Sequence, residues 1–302
     1  MAPNVRFRTR IASALRPNSR WLNGLQLTAA RKERSLKLVL PRAAPSGNPS
    51  AHYARAFSRT TVAGARSLVH RRGESRVLAL LPKAERQRVR ERCEQIPIEA
   101  RQVLFKSNGA IQHVYFPLSG MASMVLNTPN GMTVEVGTVG NEGMVGMPVY
   151  FGAKSSPTEG IWQVSGETLR MTAKDFTQEI ERDGELRFVL QRFSQALLNQ
   201  ISQSVLCNHL HPIEQRLSRW LLMTHDRAGT DEFGLTQQFV AQMLAVRRAS
   251  VTVAAGILQK AGFIRYRRGT LTVLDRRRLE AGSCECYDVV RRELERLLQP
   301  SR

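Results

Sequence analysis

Residues 235–275 read LTQQFVAQMLAVRRASVTVAAGILQKAGFIRYRRGTLTVLD. The spacing predicts a helix over residues 237–244 that Thr236 caps, a turn at Ala245 and Val246, and a second helix over residues 247–260. Two short helices around a tight turn are typical of a helix-turn-helix. The contacts between the helices are predicted to come from Val240, Leu244, Val246, Val251 and Ala254, with small Ala241 allowing a close approach.

A hairpin is predicted directly after the second helix. Gly262 ends the helical pattern, and residues 263–266 and 270–274 read as two strands around a turn at Arg268 and Gly269. Apolar side chains alternate to one face, so the basic ones face outward. A basic hairpin beside a helix-turn-helix is the winged-helix arrangement, in which the second helix enters the major groove of DNA. The apolar positions are Ile264, Tyr266, Leu271 and Val273, and the basic ones are Arg265, Arg267 and Arg268.

The charge of the chain points to a polyanionic partner. The 302 residues carry 45 Lys and Arg against 25 Asp and Glu, a net charge of +20, and the pI is about 11.1. The excess is +14 in residues 1–72, zero in residues 73–206 and +6 in residues 207–302. We interpret residues 1–72 as a basic, largely disordered leader, with a transit peptide or a nucleic-acid-binding arm as alternatives.

The middle of the chain is predicted to form a small antiparallel β-roll. Two short helices broken at Pro82 are expected within residues 74–95, with Cys93 as a core residue. Short β-type segments separated by Gly-containing turns follow, which indicates a barrel or roll. The predicted strands are residues 102–105, 113–116, 121–126, 133–138 and 162–164.

A long helix is predicted from about residue 183 to residue 207. Its apolar side chains recur in steps of three and four, which is typical of a helix-pairing seam and predicts a homodimer. The alternative is a helix packed on its own roll. The stripe consists of Leu186, Leu190, Phe193, Leu197, Ile201 and Val205.

These segments together resemble the Crp/Fnr family of bacterial transcription regulators. The resemblance covers about residues 74–298, and its most specific part is the winged helix. It implies an α+β chain with four parts: a leader (1–72), a cyclic-nucleotide-binding-like sensor β-roll (73–182), a dimerisation helix (183–207) and a winged helix-turn-helix domain (208–302). The motifs that carry it are VYFPLSGMASMV (114–125), GNEGMVGMPVYFG (140–152), HPIEQRLSRWLL (211–222) and the stretch 235–275.

The resemblance also implies which residues contact DNA. Arg248 falls where the family's second helix reads a base, and arginine bonds guanine bidentately. Ala249 and Val253 stand where cyclic-AMP-responsive members have a base-reading acid and a second arginine, so the operator need not be theirs. The predicted DNA-binding residues are Thr236, Gln237, Arg247, Arg248, Ser250, Thr252, Arg265, Arg267 and Arg268.

The sensor is not expected to bind a cyclic nucleotide. In family members that bind cyclic AMP, an Arg-Ser pair holds the phosphate, whereas Glu159 and Gly160 occupy those positions here. A carboxylate repels a phosphate. The effector therefore stays unknown.

Other cofactors have little support in the sequence. An iron–sulfur cluster needs several cysteines near the start of the sensor, where Cys93 stands alone. Haem remains open, but a methionine-rich core is the commoner meaning. Cys284 and Cys286 are interpreted as structural for want of a second pair or an accompanying histidine, so neither a cofactor nor a metal is expected. The candidate haem ligands are His113, Met121, Met124, Met144 and Met147.

The sequence favours a DNA-binding regulator over an enzyme and over a sequence-indifferent nucleic-acid binder. The motifs of common hydrolases, P-loop enzymes and zinc proteases are absent, so no catalytic residue is expected. A regulator that binds double-stranded DNA as a homodimer in the cytoplasm fits best, with RNA polymerase left open as a partner and no membrane association. The alternative is a sequence-indifferent nucleic-acid binder driven by the basic leader.

Overall fold

The computed structural model describes residues 73–299. The leader predicted for residues 1–72 lies outside this part of the chain. No single helix among the described residues is long and apolar enough to cross a membrane. One pair of helices passes that test only when taken together, with a bend of 107° between them, and these are the two helices predicted for the helix-turn-helix.

Two antiparallel sheets form the sensor roll, and all the predicted strands are present with small changes of boundary. One sheet has the order β1-β7-β3 and the other β2-β6-β4-β5. The strands β1 and β7 were not predicted, because β1 carries Pro97 and both alternate only weakly. The bounds are β1 Glu94–Ile98, β2 Val103–Phe105, β3 His113–Pro117, β4 Met121–Asn127, β5 Thr133–Val139, β6 Glu159–Val164 and β7 Gly166–Thr172.

Short helices close the roll, and large apolar side chains fill it. The break at Pro82 is confirmed, since the helices on either side end at Ala79 and begin at Lys83. Trp162, Phe116 and Phe176 are fully buried in the core. The helices are α1 Arg76–Ala79, α2 Lys83–Glu91, α3 Met147–Tyr150 and α4 Ala173–Ile180.

The long helix α5 spans Glu185–Leu210, and its burial changes along its length. Leu186, Leu190 and Phe193 are buried in the core of the roll. The prediction that they form an intersubunit seam is therefore wrong, because their own roll takes up this part of the stripe. Beyond Leu197 one face of the helix still contacts the roll, where Gln200 accepts a hydrogen bond from the Thr138 amide at 2.7 Å, while Leu198 and Val205 are exposed.

The C-terminal part forms a winged helix around a second core. The strands β8 Glu232–Gly234, β9 Ile264–Arg267 and β10 Thr270–Val273 form a sheet in the order β8-β10-β9, so the predicted hairpin gains a third strand. The helices are α6 Ile213–Ala228, α7 Gln237–Met243, α8 Arg248–Lys260, α9 Arg276–Ala281 and α10 Cys286–Leu297. The α+β fold predicted from the sequence is thus confirmed.

Candidate nucleic-acid interface and its junction with the sensor

The two helices of the helix-turn-helix meet at a bend of 107°. Ala245 makes the turn with a φ of 52°, a left-handed conformation that is unusual for a residue with a Cβ. Val251 and Ala254 of α8 are fully buried against α7 and its surroundings. The opposite face of α8 is left exposed to solvent.

Basic side chains stand at the start of the exposed face of α8. Arg247 is the N-cap residue of α8 and Arg248 is its first residue, and both are exposed. Two guanidiniums beside the positive end of a helix repel its dipole, and a polyanion contacting them would relieve that repulsion. Ser250 is half-buried on the next turn.

Two of the predicted DNA-binding residues bond to each other. The Thr252 hydroxyl donates to Gln237 Oε1 at 2.8 Å and thereby joins α8 to the first turn of α7. Thr236 Oγ1 accepts a hydrogen bond from the Phe239 amide at 3.2 Å, which is the predicted cap. Gln237 and Thr252 thus hold the two helices together, and Thr236 caps the first of them.

The wing ends in a tight turn that carries a basic side chain. Arg268 and Gly269 have φ values of 50° and 81°, the pattern of a two-residue type I′ hairpin. Arg265 and Arg267 are exposed on β9, as predicted. The Tyr266 hydroxyl donates to the Leu235 carbonyl at 2.5 Å and anchors the wing to the helix-turn-helix. Burial raises the pKa of Tyr266 to about 12, so it stays a neutral donor beside the Arg248 cation.

The exposed face of α8 is more apolar than the sequence analysis implied. The Val253 side chain is 61% exposed and Ile257 is 49% exposed, on the same side of the helix as Ala249. From the sequence, Val253 is identified only as the replacement of an arginine. The spacing of the buried residues Val251, Ala254 and Leu258 puts Val253 on the opposite face of the helix, and this periodicity was the available signal.

A buried ion pair connects the sensor to the winged helix. Glu142 follows β5 and lies 2.7 Å from Arg227 Nη2 on α6, and both side chains are more than nine-tenths buried. The Gly140 amide also donates to the Glu142 carboxylate at 3.1 Å. The Arg227 guanidinium and this hydrogen bond hold the pKa of Glu142 below its usual value against the opposing effect of burial. A Cβ on Gly140 would lie 2.6 Å from Arg227 Cγ, so glycine is needed for this close approach.

A second carboxylate lies at the same junction. Glu135 on β5 accepts hydrogen bonds from Ser123 Oγ at 2.7 Å and from Trp220 Nε1 of α6 at 3.0 Å. Burial raises the pKa of Glu135 to about 7, although both donors and the nearby Arg219 and Arg227 guanidiniums oppose the shift.

The pH dependence of stability follows from this pKa. The folded state holds the Glu135 proton up to about pH 7 and the unfolded chain only up to about 4.5, so the free energy of unfolding falls as the pH rises between these values. We expect Glu135→Gln to remove this slope and to raise the free energy of unfolding at pH 8 by about 2–3 kcal/mol. Urea unfolding of the wild type and of Glu135→Gln at pH 5 and pH 8 measures the change in the free energy of unfolding. A constant difference between the two proteins across this range would contradict the assignment.

Both folded parts of the chain match known domain families. Residues 95–183 match the model of the cyclic nucleotide-binding domain, and residues 215–281 match that of the Crp-like helix-turn-helix domain. The chain belongs to the Crp/Fnr family. Members of this family are transcription regulators that bind DNA, usually as dimers. A comparison with curated protein sequences finds no match.

Solved structures of Crp/Fnr regulators share the fold. The c-di-GMP-responsive global regulator CLP of Xanthomonas campestris matches with a TM-score of 0.53 and 13% identity, over 64% of this chain and 99% of that one. FixK2 from Bradyrhizobium japonicum matches with a TM-score of 0.54 and 12% identity, over 64% and 98%. A CRP-family regulator from Thermus thermophilus matches with a TM-score of 0.53 and 15% identity, over 68% and 100%. At these identities the likeness is one of fold.

Position 160 of the sensor has no room for a side chain. Glu159 and Gly160 lie at the start of β6, and a Cβ on Gly160 would meet the Phe105 ring at 2.6 Å. A serine at this position, as in the cyclic-AMP-binding relatives described above, would displace that ring.

The residues weighed as haem ligands have ordinary packing roles. Met121, Met144 and Met147 are buried in the sensor, and Met124 packs against its core. His113 is half-buried on β3, where burial lowers its pKa. Cys93 packs against the core as expected, and burial raises the pKa of its thiol to about 12.

The C-terminal cysteines differ from their interpretation in the sequence. Cys284 and Cys286 do have an accompanying histidine and a third cysteine, because the fold brings His211 and Cys207 to them. These partners come from the end of α5, more than 70 positions away in the chain. A CxxxH and a CxC pair were the available signal, and their distance in sequence concealed it.

Proposed function

We propose that this Crp/Fnr-type protein is a sequence-specific DNA-binding regulator that acts as a homodimer. The observation that carries the proposal is the exposed face of α8, which begins with Arg247 and Arg248 and lies beside the basic wing. A matching Crp-like helix-turn-helix domain supports it. In such domains the second helix lies in the major groove.

The contacts divide by the chemistry they offer. Arg248 is suited to a guanine edge, and the apolar side chain of Val253 to the methyl group of thymine. Arg247 and Ser250 bind nearby bases or phosphates. Arg265, Arg267 and Arg268 contact phosphates and set the position of the domain without reading sequence. Thr236, Gln237 and Thr252 act by holding α7 and α8 in place, as their hydrogen bonds indicate.

Arg248 and Arg268 are expected to behave differently when each is replaced by alanine. A dimer should select an imperfect palindrome with half-sites about 10 base pairs apart. Arg248→Ala should cost about 1–3 kcal/mol and relax preference at one position of each half-site. Arg268→Ala should weaken all sequences alike and lower the slope of binding against salt by roughly one.

Selection of bound sites from random DNA, run with the wild type and both variants, tests these roles. Arg268→Ala is the matched control, because it removes the same guanidinium from an exposed position in the same domain. An unchanged motif with Arg248→Ala would place α8 in a different register or outside the groove.

The sensor is proposed to respond to something other than a cyclic nucleotide. The support is the Glu159 carboxylate where a phosphate would lie and the Phe105 ring against Gly160. We expect calorimetry with cyclic AMP and cyclic GMP to show no binding at physiological concentrations. Tight binding that also raises DNA affinity would contradict this proposal for the sensor.

The alternative is a sequence-indifferent nucleic-acid binder that works through the basic residues 1–72. The net charge of +14 in that segment favours it. Removing residues 1–72 discriminates between the two functions. A regulator keeps its preference for the selected site over random DNA, whereas a binder driven by the leader loses most of its affinity for both. RNA polymerase remains open as a further partner.

A further inference from the structure

Three cysteines and a histidine meet where α5, α6 and α10 come together. Cys207 lies in the last turn of α5, and His211 caps that helix one turn later. Cys284 precedes α10, and Cys286 is its first residue. Their Sγ atoms and one imidazole nitrogen all lie within 4.8 Å of one another.

The distances match those between ligands of one tetrahedral ion. Cys207 Sγ lies 3.5 Å from Cys284 Sγ, and Cys286 Sγ lies 3.4 Å from His211 Nδ1. Zinc binds thiolate sulfur at about 2.3 Å and imidazole nitrogen at about 2.0–2.1 Å, so the edges of its tetrahedron measure roughly 3.5–3.8 Å. Two of the six distances between these groups thus equal the edges of a zinc tetrahedron, and the others are short enough, at no more than 4.8 Å, for small side-chain shifts to complete it.

The surrounding groups orient the ligands as in metal sites. His211 Nε2 lies 3.2 Å from Glu285 Oε1, and its Nδ1 faces Cys286 Sγ at 3.4 Å, so the carboxylate is placed to accept a proton from the outer nitrogen while the inner nitrogen binds an ion. A carboxylate on the outer nitrogen is the usual companion of a metal-bound histidine. Gln203 Nε2 also donates to Cys286 Sγ at 3.1 Å, a bond that favours the thiolate.

The burial of the cysteines and the charges around them suit a metal ion that is bound mainly by thiolates. All three cysteines are buried, which keeps water from the position between them. Three thiolates around a divalent ion leave one net negative charge. The guanidiniums of Arg216 and Arg219 lie close enough to offset it.

We propose that Cys207, His211, Cys284 and Cys286 bind a structural zinc ion. Three sulfurs and one nitrogen form one of the standard closed zinc sets, and four protein ligands leave no position open for catalysis. Both pairs lie outside the residues that the two family models match. The ion ties α10 to the end of α5, where the winged helix begins.

Metal content of the full-length protein tests this site directly. We expect about one zinc per chain in protein purified under reducing conditions, and the same content in Cys93→Ser, which removes a thiol elsewhere. Cys286→Ser should lose the zinc. Glu285→Gln alters an exposed side chain and is expected to weaken zinc affinity about tenfold while the protein stays folded.

Cobalt supplies a readout that does not depend on any variant folding. Co²⁺ added to reduced, zinc-stripped wild type should give the charge-transfer and intense visible bands of a tetrahedral thiolate site, and zinc should abolish them. Proton release on binding should accompany the change, because the thiols must ionise. Reduced protein that takes up neither zinc nor cobalt overturns the proposal. So does a Cys207–Cys284 disulfide that persists in the purified protein and, once reduced, leaves no metal uptake.

Discussion

Replacing Leu198 and Val205 together with aspartate should convert the proposed dimer into a monomer and weaken binding to the selected operator by about 10²–10⁴-fold. These side chains of α5 are each 57% exposed, and they lie seven positions apart on one face of the helix. A second copy of the chain is the proposed occupant, since Crp/Fnr regulators usually bind DNA as dimers. Aspartate would place unpaired charges in the contact.

Light scattering and binding to full and half operators measure this effect. Phe151→Asp is the matched control, because Phe151 is an apolar residue of the sensor, 67% exposed, that does not lie on α5. It should leave the dimer intact. A double aspartate variant that still forms dimers would show that the exposed face of α5 is not the contact.

The choice of positions depends on the structure. The stripe predicted from the sequence would have directed the test to Leu190 and Leu197. Leu190 is fully buried in the roll, so a charge there would unfold the sensor and give monomers for the wrong reason.

Glu142→Gln is expected to lower the free energy of unfolding by about 3–5 kcal/mol. The substitution leaves the Arg227 guanidinium buried, hydrogen-bonded to the Met223 carbonyl at 3.0 Å and facing a neutral amide in place of the Glu142 carboxylate. The cost is that of an uncompensated buried charge. The pair also joins the loop after β5 to α6, so the variant should loosen the junction through which the sensor contacts the winged helix.

Urea unfolding of Glu142→Gln and of the double variant Glu142→Gln/Arg227→Met checks the prediction. The double variant removes both charges and should recover much of the lost stability. Equal losses in the single and double variants would mean that the packing of Arg227, rather than its charge, is what matters.

The amino-acid sequence by itself determined the local elements of this protein. The break at Pro82, the Thr236 cap, the turn at Ala245 and the Arg268-Gly269 hairpin were all predictable, because each depends on a residue's own backbone preferences and on neighbours a few positions away. The apolar contacts of the helix-turn-helix followed from the same short-range periodicity. So did the outward direction of the wing arginines.

Only the tertiary structure decided which distant groups meet. The same stripe on α5 is core at Leu190 and exposed at Val205, because the roll covers Leu190 and leaves Val205 open to solvent. Glu135 and Glu142 read as ordinary charges until α6 buries them beside Trp220 and Arg227. The cysteines and His211 likewise form one cluster because α10 returns to the end of α5. Contacts of this kind depend on how whole elements pack, and periodicity along one segment contains no information about the surface that will cover it.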